Sequence, residues 1–165
     1  MAMQYDVKSY HAKASGQIVG FEARIKSVVV ASATVSARNI ALCDSTGALT
    51  GSWSRTGTLV TVTTSTNHGL TTGDRVAIDF SAGSTIRDGV YAVTVTGLDT
   101  FEVTSVTSGS ATGTCTIFTQ NNIILEVDTF STVSLPILVP GEGIRCPNGI
   151  YAVLGSSVTA TIYYG

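Results

Sequence analysis

The chain has 165 residues, of which 9 are Lys or Arg and 11 are Asp or Glu, so 12% are charged and the net charge is −2. Soluble domains average about 25% charged. Ser and Thr supply 43 residues, and the mean hydropathy is +0.34. This composition excludes a disordered chain, which needs low hydrophobicity and high charge, and a coiled coil, which needs Ala, Glu, Lys and Leu in excess. It also argues against nucleic acid as a partner, because no basic footprint exists to neutralise phosphates. No membrane partner is expected either: the longest strongly apolar stretch, residues 135–139, is five residues long and contains Pro136, where a helical span takes about 20.

β-Branched residues dominate, and Gly, Asn, Asp and Ser cluster every 8–12 residues or so, the pattern of an all-β sandwich or barrel. Residues 1–6 lack the basic-then-apolar pattern of a secretory leader. Phe21, Ile25, Val28 and Val29 fit a helical face that fails at Ser32, and Val28-Val29-Val30 favours a buried strand. Strands are predicted over 23–31 and 38–43.

From residue 56 to 118 the net charge is −3 and the alternation is clean. Val60 and Val62, Val76, Ile78 and Phe80, Tyr91, Val93 and Val95, Phe101 and Val103, and Cys115 and Ile117 each alternate mostly with Thr or another small or polar residue. Turn chemistry separates them at Asn67-His68-Gly69, Ser81-Ala82-Gly83, Asp88-Gly89, Gly97-Leu98-Asp99 and Ser108-Gly109. This predicts a small inserted five-stranded β-barrel over 56–118. The flanks, 1–55 plus 119–165, predict a jelly-roll-like antiparallel β-sandwich. There the continuous apolar runs 123–125 and 135–139 read as strands buried on both faces, with Pro136 at an edge or bulge. Asn148-Gly149 predicts a hairpin joining 143–146 to 150–154, and a last strand covers 158–164.

Candidate chemistry is sparse. Cys43, Cys115 and Cys146 have no zinc or Cys-x-x-Cys spacing and read as buried thiols of a protein made in a reducing cytoplasm. No calcium loop of alternating acids occurs, so neither a metal nor a cofactor is expected. His11 reads as solvated and His68 as a turn residue bonding backbone; no Ser stands on a nucleophile elbow, and no enzyme is expected. Glu126 and Asp128 share a strand face but read as its polar side. Lys8, Lys13, Arg24, Lys26 and Arg38 make the first forty residues +3, either a solvated face or a contact for an acidic protein. Trp53 reads as a packing hinge at the junction or as a candidate glycan contact. Tyr163 and Tyr164 point to opposite faces of their strand.

The segment Asn67-His68-Gly69-Leu70-Thr71-Thr72-Gly73-Asp74-Arg75-Val76, with Asp88-Gly89-Val90-Tyr91-Ala92-Val93 and Thr100-Phe101-Glu102-Val103, resembles a repeat module of tailed-phage virion proteins similar to the β-barrel half-domain of ubiquitin-activating enzymes. The flanks, through Ala23 to Val30, Asn39 to Asp44, Pro140 to Cys146 and the ending Val158 to Gly165, resemble small β-rich virion proteins of marine tailed phages. These resemblances imply a structural protein of the virion, made in the host cytoplasm. The leading expectation is a capsid decoration or cement protein, a homotrimer bound to the major capsid protein through the sandwich with the barrel outward. A tail or neck adaptor or fibre-base protein and, in another class, a carbohydrate-binding module are the alternatives. The expected interface residues are Ile123, Ile124, Leu135, Ile137, Val139, Lys8, Lys13 and Lys26.

Overall fold

The computed structural model describes residues 6–81, 85–129, 132 and 134–165. The chain is all-β and antiparallel, with one turn of 3-10 helix at Gln120–Asn122. It divides into two compact units, an outer one built from residues 1–46 and 124–165 and an inserted one built from 47–123.

The outer unit has two sheets. Sheet A orders β1 (Lys8–Ala12), β14 (Val158–Tyr164), β3 (Ala23–Ser32) and β11 (Ser134–Leu138), with β12 (Ile144–Cys146) also on β3. Sheet B orders β10 (Ile123–Thr129), β4 (Arg38–Asp44), β13 (Ile150–Leu154) and β2 (Gly16–Val19). Both sheets contribute to one core: Ile25, Val28, Val30, Ala160 and Ile162 from sheet A, and Ile40, Leu42, Ile150 and Ala152 from sheet B, all without solvent exposure. This is the packed sandwich that two-sided alternation dictates.

β3 is paired on both sides, and its register explains its charges. Tyr163 pairs with Ser27 and Tyr164 with Ile25, leaving Lys26 as the extra residue of a bulge. Without the bulge, strict alternation from Val28 would aim Lys26 at the core. With it, Ile25 and Ala23 stay inward, and the Lys26 Nζ donates to Glu142 O at 2.8 Å.

Asn148-Gly149 does not make the expected hairpin. β12 pairs with β3 in sheet A, whereas β13 pairs with β2 and β4 in sheet B, so the turn carries the chain from one sheet to the other. The dipeptide signals only positive φ, which Gly149 adopts (φ 107°). Its other contacts fix the crossover: Asn148 Nδ2 donates to Asp44 Oδ2 (3.3 Å), and the Ser45 N–H donates to Gly149 O (3.3 Å).

The inserted unit is a five-stranded sheet around the long antiparallel pair of β5 (Leu49–Thr64) and β9 (Thr100–Thr119), with β6 (Arg75–Phe80), β7 (Gly89–Ala92) and the two-residue β8 (Thr94–Val95) between them in the chain. The two sequence segments holding Phe101 and Cys115 lie on one strand. Ser108-Gly109 is no turn; Gly109 pairs with Gly57, and the register then jumps to Leu59 against Thr104. At this wide bulge the β5–β9 pair bends until the start and end of β5 meet, where the Ser65 N–H donates to Thr50 O at 2.9 Å. The described ladders do not go on to close a barrel, since β8 pairs with β9 over only two residues. Residues 49–57 belong to this unit rather than to the flank because they pair with 109–117.

Trp53 on β5 lies directly opposite Gly113 on β9. A Cβ on Gly113 would lie 2.9 Å from the indole and 2.6 Å from the Ser81 hydroxyl oxygen, so the ring rests on bare backbone. Gly113→Ala should therefore destabilise the protein by about 1–3 kcal/mol, the usual cost of overpacking, read as a lower midpoint in urea with tryptophan fluorescence. An unchanged midpoint would contradict the packing described.

Candidate assembly surface

Much of the polar signature of the insert holds backbone in place. Between Asn67 and Asp74 four side chains take a backbone N–H: Asn67 Oδ1 from Gly69 (2.9 Å), His68 Nδ1 from Leu70 (2.9 Å), Thr72 Oγ1 from Val95 (2.9 Å) and Asp74 Oδ2 from Thr71 (2.8 Å). The His68 Nε2 is buried and has no hydrogen-bond partner among the described residues. The His68 N–H itself donates to Leu98 O at 3.2 Å, and its ring, 7% exposed, meets Phe101 edge-on. These bonds hold the loop between β5 and β6 in a fixed shape. His68 is the backbone-bonding turn residue expected. His11 is exposed, with Nδ1 2.9 Å from the Thr161 hydroxyl.

Trp53 is 3% exposed, its Nε1–H donates to Thr114 O (3.0 Å), and it packs edge-on against Phe80. A ring so covered offers a sugar no stacking face. Beside it, Arg55 is 4% exposed, and among the described residues it bonds neutral acceptors, Thr107 O, the Thr107 hydroxyl and the Thr85 hydroxyl, while its Nε–H finds no partner there. Neither the tryptophan nor the buried arginine was legible from alternation, because both occupy positions flanked by Ser and Thr.

The three thiols are buried. Burial pushes Cys43 and Cys115 up to about 12 and Cys146 up to about 11, from an ordinary value near 9. Burial likewise raises Tyr91, whose hydroxyl donates to Arg87 O. Among the described residues no group of three His, Cys, Asp or Glu side chains is placed to hold a metal.

The expected interface residues separate by strand parity. Ile124, Ile137 and Val139 pack against the outer unit's own core, and Ile123 is half-buried. Leu135 is 42% exposed on an inward-facing row, and Lys8 and Lys13 are exposed on β1 and just after it. Lys26 is half-buried at the bulge. The run 135–139 is not buried on both faces: β11 is an edge strand, Pro136 is exposed and Leu138 is 81% exposed. Pro136 sits at an edge as its missing donor requires.

The outward face of sheet A is the surface this parity creates. Its rows are His11, Thr161, Val29 and Pro136; Ser9, Tyr163, Ser27 and Leu138; and Thr159, Ala31 and Ser134. All eleven are exposed or half-exposed, and none is Lys, Arg, Asp or Glu; Lys26, kept out of the core by the bulge, borders the row of Ser27. In sheet B the residues that point away from the core behave differently: Ala41, Cys43 and Val153 have no exposed surface. The ion pairs of the unit, Arg145 with Glu22 (2.8 Å) and Arg24 with Glu142 (3.9 Å), lie beyond the end of these rows. The Arg145 guanidinium holds the Glu22 carboxyl below its ordinary value.

No family model matches the chain, and no curated protein matches it. Among solved structures the chain is similar to the phage phi92 endosialidase, at 20% identity and a TM-score of 0.31, over 81% of this chain and 20% of that one. The chain thus spans about a fifth of that protein's length, and a likeness of this degree carries no argument about function. Among the described residues no helix is long and apolar enough to cross a membrane.

Two outcomes test the site as described. His68→Phe removes the acceptor of the Leu70 N–H while keeping an aromatic ring, and should lower stability by about 1–3 kcal/mol, with faster exchange of the Leu70 amide; unchanged exchange would refute the bond. Native protein should take up no thiol reagent at pH 8, and all three cysteines should react in denaturant. Because the folded thiols titrate above the unfolded value near 9, the unfolded state alone loses these protons first, so stability should fall as pH rises from about 9 towards 12. Rapid labelling of the native protein would contradict this burial.

Proposed function

We propose that the chain is a structural protein of a tailed-phage virion, placed on the capsid as a decoration protein and held through its outer unit. The observation that carries the reading is the use of the insert's signature residues. The Asn67 to Asp74 segment, which resembles a module of phage virion proteins, forms a clasp of side chain to backbone bonds. Such a module works as a rigid building block. The outer unit supports the same reading with an open face on sheet A whose three central rows carry no charged residue, since charged residues are depleted where protein surfaces are buried together. In this reading the major capsid protein is the partner and no residue has a catalytic role.

Quantitative mass spectrometry of purified particles tests it. Copies in the hundreds per particle, at a fixed ratio to the major capsid protein, are expected. Six or twelve copies would move the chain to the tail or neck, and absence from particles would overturn the proposal.

A further inference from the structure

His68 carries the only imidazole of the insert, and the bond it makes fixes its charge. Its Nδ1 accepts the Leu70 N–H at 2.9 Å. An accepting ring nitrogen holds a lone pair, so Nδ1 is bare and the ring is the neutral form with its proton on Nε2. We infer that this bond is a proton-sensitive catch: it holds the loop between β5 and β6 closed at neutral pH and releases it in mild acid.

Two observations set a protonated ring against a closed loop. A proton on Nδ1 would face the Leu70 N–H, donor against donor, across the 2.9 Å of the present bond. The ring is also 7% exposed, and its Nε2 is buried with no hydrogen-bond partner among the described residues. The cation would thus be cut off from water and find no acceptor at either nitrogen. The charged groups on the surrounding elements do not supply one. Asp74, on the same loop, takes the Thr71 N–H, and Asp99, on the turn beyond Leu98, takes the Thr100 hydroxyl. Glu102 follows Phe101 on β9 and lies on the opposite face of that strand. Arg75, at the start of β6, is a cation and would repel the ring.

The catch holds more than one amide. The Leu70 side chain packs against the insert's core. The His68 ring packs against Phe101 at 5.5 Å between centroids, and Phe101 has no exposed surface. A ring that swings out to water therefore leaves the Leu70 N–H without its acceptor and uncovers Phe101. Farther along, the loop is tied by Gly73 N–H to Val93 O (2.9 Å) and Val93 N–H to Asp74 O (3.0 Å), bonds that hold no titrating side chain. Release should start at Leu70. The closed loop binds one proton fewer than the open one, so it is favoured above the range where an ordinary imidazole titrates, about 6.5, and is lost as pH falls through it.

Amide hydrogen exchange read by NMR on the full chain, from about pH 7.5 down to 5, tests this. Protection of the Leu70 amide, corrected for the intrinsic pH dependence of exchange, should fall at least about tenfold, in step with proton uptake at the His68 ring. Protection of Val28, in the outer unit, should hold. His68→Gln offers a neutral oxygen to the Leu70 N–H and cannot take a proton, so its Leu70 protection should be flat across the range. His11→Gln removes the exposed imidazole and should keep the wild-type profile. Flat Leu70 protection in wild type, a His68→Gln profile that falls as wild type does, or a loss shared equally by Val28 would overturn the inference. Should His68→Gln fail to fold, wild type alone decides, since a His68 ring that takes up a proton with Leu70 still protected would also overturn it.

Discussion

The outer unit depends on the pairing of β3. This strand has β14 along one edge and β11 and β12 along the other, so its parity sets the parity of sheet A. Val28 and Val30 inward place Ile162, Ala160 and Ile137 inward with them, and Val29 outward places Thr161 and Pro136 outward. The bulge at Lys26 is the one departure. It keeps a cation out of a core that offers it no partner, at the cost of one unpaired residue, and an uncompensated buried charge would cost several kcal/mol.

The insert solves a different problem. Two long, bent, paired strands must cover their inner face at the end away from Phe101 and Ile117 as well. They do so by setting Trp53 on Gly113 and laying Arg55 beside it, with hydroxyls and a carbonyl as acceptors. The loop clasp at Asn67 to Asp74 then ties the turn before β6 to the strands around Val93 and Val95. Polar residues in this unit hold backbone in place, which is a structural use for a segment with His, Asp, Asn and Thr so close together.

Much of the fold was legible because its period is short. Strands expected over 23–31, 38–43, 150–154 and 158–164 are found at Ala23–Ser32, Arg38–Asp44, Ile150–Leu154 and Val158–Tyr164. What local pattern cannot show is which strands pair. Asn148-Gly149 demands a tight turn but does not say that the strands beside it share a sheet, and Ser108-Gly109 suits a bulge as well as a turn. The candidate surface was hidden for a related reason. In an apolar run such as 135–139 every residue looks alike, and only the register with β3 separates Ile137 and Val139, which pack inward, from Pro136 and Leu138, which do not. Trp53 was ambiguous because exposure, not identity, distinguishes a packing residue from a stacking platform.

These elements combine into one physical account. Low charge and high hydropathy are distributed between sealed cores and an exposed face of sheet A whose three central rows carry no charged residue. The most direct measurement is a side-chain-resolution reconstruction of the particle that carries this chain. The account predicts Leu138 and Tyr163 buried against another protein of that particle. A map in which that face looks into solvent would contradict it.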